Sequence, residues 1–153
     1  MTPFSTLFAL PPRERRLAVL AVSLVIVLRL VLWILPSRII LRSVRALGRA
    51  RPRDVVPGVD PATVTWAVEA AGRRVPHATC LTRAIAAQLL LLRYGFASRL
   101  CLGVAHGRDA GFRAHAWLER DGTVVIGAHG VRDMTRLPDL AWPEATFDSR
   151  GRV

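Results

Sequence analysis

The chain contains no lysine: all 22 of its basic side chains are arginine, set against 11 acids for a net charge of +11. So complete an absence reads first as GC-rich codon usage. Cysteine is scarce as well, with only Cys80 and Cys101. Two thiols make no disulfide framework, and nothing marks a cleaved secretion signal, so both are expected to be reduced. No glycine-rich phosphate loop is present. His106 and His129, taken with the cysteines, lack zinc-ligand spacing. Neither a cofactor nor a metal is therefore expected. No internal repeat appears, and no aromatic residues interleave with the arginines, which ranks nucleic acid below other partners. What is present is a chain of 153 residues, the size of one domain with a short appended segment. That length buries roughly two thirds of the unfolded chain's surface without disulfides.

The charge is unevenly placed. Residues 1–53 hold ten arginines and one acid, Glu14, whereas residues 54–153 hold twelve arginines and ten acids. The chain therefore divides into a basic, apolar N-terminal segment over 1–53 and a nearly balanced core over 54–153. Such a segment suits an acidic partner or an anionic membrane surface. Between Leu17 and Leu35 only Ser23 and Arg29 are not apolar, and Pro36 ends the run. A helix this apolar must be covered by the domain, a partner or lipid. Spanning a bilayer is unattractive, because a central arginine costs about 2.5–3.5 kcal/mol on insertion scales. The chain is expected in the cytoplasm, with membrane association through residues 17–35 left open. Arg38, Arg42, Arg45 and Arg49 then recur at helical spacing opposite Ile40, Val44 and Leu47, which predicts a basic amphipathic helix.

Residues 54–61 read as a turn-rich linker, and "PATVTWAVEAAGRR" as a short helix with Trp66 on its apolar side. From Cys80 to Arg93, the residues Leu81, Ile85, Leu89 and Leu92 make a helical stripe, with Gly95 as the C′ residue. "SRLCLGVA" alternates as a strand with Leu100, Leu102 and Val104 on one face. "FRAHAWLER" alternates again, "DG" signals a two-residue hairpin turn, and "TVVIG" completes the pair.

Two residues in this layout could do chemistry. Thr79 as N-cap puts Cys80 in the first turn of its helix, where unpaired N–H groups and the helix dipole favour a thiolate. The plain alternative is a core thiol, since cysteine is among the most buried residue types. In the strand 112–120, Phe112, Ala114, Ala116 and Leu118 share one face, and Arg113, His115, Trp117 and Glu119 share the other. With the apolar side on the core, His115 faces the functional or solvent side. A helix-start cysteine followed by an antiparallel sheet carrying a histidine is the arrangement of cysteine proteases and transglutaminases. There the imidazole takes the thiol proton and later protonates the leaving amine.

"PHATCLTRA", "RYGF…LGV" and "AHAWLE", within residues 62–130, resemble the transglutaminase-like leader peptidases of lasso-peptide biosynthesis. These are the stand-alone peptidase half of the split B protein. The resemblance implies an α+β fold with a papain/transglutaminase-like core: a cysteine at a helix N-terminus, packed on a small antiparallel sheet that carries the histidine. It also implies a cysteine peptidase that cuts the leader from a ribosomally made precursor peptide. A separate leader-recognition protein would present the leader, and an ATP-dependent lasso cyclase would take the freed core. Carried over, the nucleophile is Cys80 and the base His115.

The third member departs from that pattern. The family often has an aspartate about a dozen residues past the histidine, where this chain reads "IGAHG". A two-residue hairpin at Asp121-Gly122 sets position 128 opposite 115, and position 128 is alanine. Asp121 is about 20 Å along the strand from His115. Asp133 could fold back to orient the imidazole, or a backbone carbonyl or water could serve. Cys101 is read as structural, His77 as a loop residue near the cleft, and Trp117 as a groove wall or a shield for the His115 hydrogen bond. Two other readings use the same residues: a transglutaminase-type acyl transferase, and a non-catalytic module that binds leader peptide or membrane.

Overall fold

In a computed structural model of the protein, the described residues are 11–35, 39, 54–106 and 111–137. Apart from Ile39, the expected basic helix over 38–49 lies outside them, as does the tail from Pro138 onward. Among the described residues three helices, α1 (Pro12–Ile34), α2 (Pro61–Arg74) and α3 (Cys80–Arg93), precede four strands. These are β1 (Arg99–His106), β2 (Phe112–Arg120), β3 (Thr123–Ile126) and β4 (Thr135–Arg136). The strands form one antiparallel sheet in the order β3-β2-β1-β4. The fold is α+β, as the resemblance implied.

Each helix starts and stops on local chemistry. Pro12 and Pro61 occupy first-turn positions, where a missing N–H costs nothing. The Asp60 carboxylate accepts from the Ala62 N–H at 3.2 Å and caps α2. At the end of α3, Gly95 has φ +88. The Gly95 N–H reaches the Leu92 carbonyl at 3.2 Å, and the Phe96 N–H reaches Leu91 at 2.8 Å. This pair of bonds is a Schellman stop, and it needs a left-handed residue at that one position.

α1 packs on α2 and α3 through Leu17, Ala21 and Val25, a buried i, i+4, i+8 stripe. That stripe joins one core with Val64, Val68 and Ala71 of α2, most of α3, and Leu100, Ala116, Leu118 and Ile126 of the sheet. α3 departs from the single stripe expected of it: Thr82, Ala84, Ala86, Ala87 and Gln88 are buried along with Ile85, Leu90 and Leu91. Covered by helices on one side and the sheet on the other, it is the centre of the molecule. Its three alanines let those neighbours approach closely. Trp66 is also not where the helical pattern suggested. It is 49% exposed, while Val64, Ala67, Val68 and Ala71 face inward.

β1 and β2 pair in unbroken register from Arg99↔Glu119 to His106↔Phe112. Asp121 and Gly122 both have positive φ, +49 and +75, the conformation of a type I′ hairpin turn. The β2–β3 register is interrupted at once. Glu119 pairs with Val124 but Leu118 pairs with Ile126, so one extra residue bulges between them. β3 ends at Ile126, and residues 112–117 of β2 have no β3 partner.

Candidate active site

The chain reaches Cys80 through a tight turn. The Ala78 N–H bonds to the Val75 carbonyl at 3.3 Å, with Pro76 and His77 at the two central positions. His77 has φ +59, where a type II turn usually has glycine. A non-glycine residue there costs about 1–2 kcal/mol, and the proline before it offsets some of that by presetting its own φ. His77 is exposed. Thr79 then caps α3 as its side chain predicted, accepting from the Thr82 N–H at 3.2 Å, with its hydroxyl 2.9 Å from that of Thr82.

Cys80 is therefore the first residue of α3. It is half-buried and unbridged, and it packs against the helical core. The cap consumes the Thr82 N–H, and the Arg83 N–H starts the helical ladder on the Thr79 carbonyl at 3.1 Å. The N–H groups of Cys80 and Leu81 have no acceptor among the described residues. Two free donors and a helix dipole beside a thiol can stabilise an anion on sulfur or on an acyl oxygen.

His115 lies on β2 where β3 has ended, half-buried. Its Nε2 is 2.8 Å from the Gly127 carbonyl oxygen. A carbonyl only accepts, so Nε2 carries the ring hydrogen and the Nδ1 lone pair is left free to take a proton. The imidazole also lies nearly parallel to the Trp117 indole, with ring centroids 6.3 Å apart and planes at 18°.

Trp117 is on the sheet face away from α3, as the alternation implied, yet it is buried rather than facing solvent. Its indole N–H donates to Glu119 Oε1 at 2.8 Å. The Arg136 guanidinium pairs with the same carboxylate and sits 5.6 Å over the indole ring. Gly103, the register partner of His115, makes the remaining room: a Cβ there would come within 2.8 Å of the Trp117 ring and 2.9 Å of the Met134 Cβ. The 131–137 segment thus covers the face on which His115 begins. Cys101, paired with Trp117 across the strands, is buried there too. Burial, and then the negative charge of Glu119, push its thiol up from 9.0 to about 11.

α3 packs directly on β2, but no hydrogen bond joins Cys80 to His115. The thiol packs on the helical side of the sheet. The imidazole starts from the Trp117 side, at the open margin of β2. Asp133 is exposed in a turn and makes no hydrogen bond or ion pair among the described residues. Asp121 stays at the hairpin tip, 3.4 Å from the Arg120 guanidinium. Alanine 128 does not sit opposite 115 as a plain hairpin would have it. The bulge shifts the register by one residue past that pairing, and the imidazole bonds instead to the Gly127 carbonyl. Sequence reasoning missed Gly127, Gly103 and the Glu119–Arg136 latch. The only trace of them was the glycine following "TVVI". Among the described residues, no group of three or more His, Cys, Asp and Glu side chains is placed to hold a metal.

The family model of the transglutaminase-like superfamily matches residues 18–138, from the first turns of α1 to just past β4. The chain belongs to the transglutaminase-like superfamily. Members are typically cysteine proteases or acyltransferases, and the superfamily suggests an activity of that kind here. No curated protein and no solved structure matches the chain.

Proposed function

We propose that the protein is a cysteine peptidase that removes the leader from a ribosomally synthesised lasso-peptide precursor and passes the core to an ATP-dependent cyclase. A separate recognition protein would present the leader. The observation that carries the catalytic part is Cys80 at the first position of α3 with two unused N–H donors beside it. The resemblance of "PHATCLTRA" and "AHAWLE" to leader peptidases supports the substrate class.

His115 Nδ1 takes the Cys80 thiol proton, and the thiolate attacks the scissile carbonyl carbon. The C–S bond forms, and the N–H groups of Cys80 and Leu81 hold the oxyanion. The intermediate collapses, the C–N bond breaks, and Nδ1–H protonates the leaving amine of the core peptide. Water then gives a proton to Nδ1 and attacks the thioester. The C–S bond breaks, and the leader leaves as its carboxylic acid while Cys80 regains its proton. The resting site holds no thiol–imidazole bond, so this first transfer requires the imidazole, at the open margin of β2, and the thiol to be brought together when substrate binds. Asp133 is assigned no part in these steps.

The test is to incubate the protein and its Cys80→Ala variant with precursor and recognition protein and weigh the products. Leader acid and free core from the wild type, with none from the variant, support the reading. Cleavage that survives Cys80→Ala would sink it. A leader joined to an added amine would favour acyl transfer instead.

We also propose peripheral contact with an anionic membrane through α1. The helix is long and apolar enough to cross a bilayer by length and composition. One side is committed to α2 and α3, while Val19, Ile26, Val27, Leu30 and Trp33 are exposed on the rest. Spanning would drag Glu69, Arg73 and Arg83 of the packed helices into lipid, whereas lying in the interface would not. The arginine excess of residues 1–53 complements acidic headgroups. Sedimentation with phosphatidylglycerol vesicles but not with phosphatidylcholine vesicles is the expected result. Equal recovery with both would overturn the role of charge.

A further inference from the structure

We propose that the backbone carbonyl of Gly127 is the positioning group for His115, standing where a side-chain acid would otherwise serve. The inference rests on the reading of His115 as the base and adds what holds it.

Three observations converge on this carbonyl. Its oxygen lies 2.8 Å from His115 Nε2 and can only accept, so it selects the tautomer that leaves Nδ1 basic. Glycine is needed for it to reach that place. Gly127 has φ +76, and a Cβ there would lie 2.9 Å from the Ala116 carbonyl oxygen and 3.3 Å from Nε2 itself. A side chain would strain the backbone and crowd the imidazole off its acceptor. The bulge at Leu118/Glu119 supplies the third element: it shifts the β3 register by one residue, from Glu119↔Val124 to Leu118↔Ile126, and Gly127 follows that last pair. The next peptide is then free to turn its carbonyl toward β2.

The acids around the site are otherwise engaged or remote. Glu119 is taken by the Trp117 N–H and Arg136, and Asp121 pairs with Arg120 at the far end of the hairpin. Asp133 makes no bond. An amide carbonyl fixes the ring's tautomer and angle as a carboxylate would, without bringing a negative charge. The bond lies within one supersecondary unit, twelve residues apart in sequence, so the base is oriented before substrate arrives.

The tautomer can be read without any activity. The chain has four histidines, and His115 is assigned by difference from a His115→Gln variant. Long-range proton–nitrogen correlation spectra of the full-length protein at pH 8 should show His115 with hydrogen on Nε2. An Nδ1–H form, or an even mixture, overturns the proposal. In kinetics, Gly127→Ala should lower kcat about tenfold or more with KM within about twofold, as removing an orienting group does. The variant's His115 should also lose its Nε2–H preference. A folded Gly127→Ala protein that keeps both kcat and the tautomer overturns the proposal. Should that variant fail to fold, the wild-type tautomer decides alone. Cleavage that survives His115→Gln would remove the base assignment and leave the wild-type tautomer to judge the Gly127 bond. Loss of cleavage in His115→Gln beside a wild-type Nδ1–H form keeps the base and rejects Gly127.

Discussion

The two faces of the sheet are covered by different means. On the helical face, Leu100, Ala116, Leu118 and Ile126 meet α3, and α1 and α2 close the layer behind it. Area drives this contact, and a fully buried leucine or isoleucine there is worth about 1.5–3 kcal/mol. On the other face, a seven-residue strap, 131–137, lies over one indole, and the cover depends on polar pairing: Trp117 to Glu119, and Glu119 to Arg136. A face held by area tolerates volume-conserving change, whereas a face held by a few directional bonds fixes the angle of each group in it. The proposed base begins on the second face and the proposed nucleophile packs on the first. The thick face supplies stability, and on the proposed reading the thin one aims the base.

The largest contrast should be chemical, between the two thiols. A thiol pushed up to about 11 stays protonated at ordinary pH, so at pH 8 only about one part in a thousand of Cys101 is thiolate. Iodoacetamide should therefore label Cys80 in the folded protein and reach Cys101 only after unfolding, as peptide mass mapping would show. The sign for stability follows. The folded state holds the Cys101 proton more tightly than the unfolded chain does, so this contribution is complete below pH 9 and is lost as pH rises from 9 toward 11. Equal labelling of both cysteines in the native protein would break the picture of a sealed second face.

Truncation on each face should separate stability from aim. Trp117→Ala removes the centre of the second face, and Leu91→Ala opens the helical core. Both are fully buried. Trp117→Ala should cost about 3–5 kcal/mol and Leu91→Ala about 2–4 kcal/mol in urea unfolding. Their kinetics should differ more than their stabilities. Per folded molecule, Leu91→Ala should keep kcat within about twofold. Trp117→Ala should lose about tenfold or more, because the imidazole loses the surface it lies along. If the two variants lose kcat alike, the division between the faces is wrong.

What could be read from the sequence divides along the same line. α3 was legible at both ends because its signals are local: Thr79 three residues before the N–H it caps, and Gly95 just past the last turn. The hairpin was legible from Asp121-Gly122; alternation along β2 put Ala116 and Leu118 on the core, but Phe112 and Ala114 of the same face are exposed at the strand's start, where it has no β3 partner. Trp66 was misassigned because a 3.6-residue pattern says which side is apolar but not how close the next helix will come. The setting of His115 was illegible for a related reason. One bulged residue changes which backbone atom meets it, and no composition signal marks a bulge. Arg136 meets Glu119 from 17 residues away, a pairing that depends on where the strap lands and not on any local preference.

The smallest expected effect is the sharpest test of how the aim is achieved. Asp133 is the acid that could fold back on the imidazole in place of the aspartate this chain lacks, and here it is exposed and unbonded. A solvated carboxylate that touches nothing contributes little to orientation, and removing it leaves Nε2 on the Gly127 carbonyl. Asp133→Asn should therefore leave kcat and KM within about twofold and shift stability by less than about 0.5 kcal/mol. A loss of about a hundredfold in kcat with an unchanged fold would mean that the strap swings Asp133 inward when substrate binds. The second face would then be a moving part and not a fixed mount, with the Gly127 bond marking only the resting position of the base.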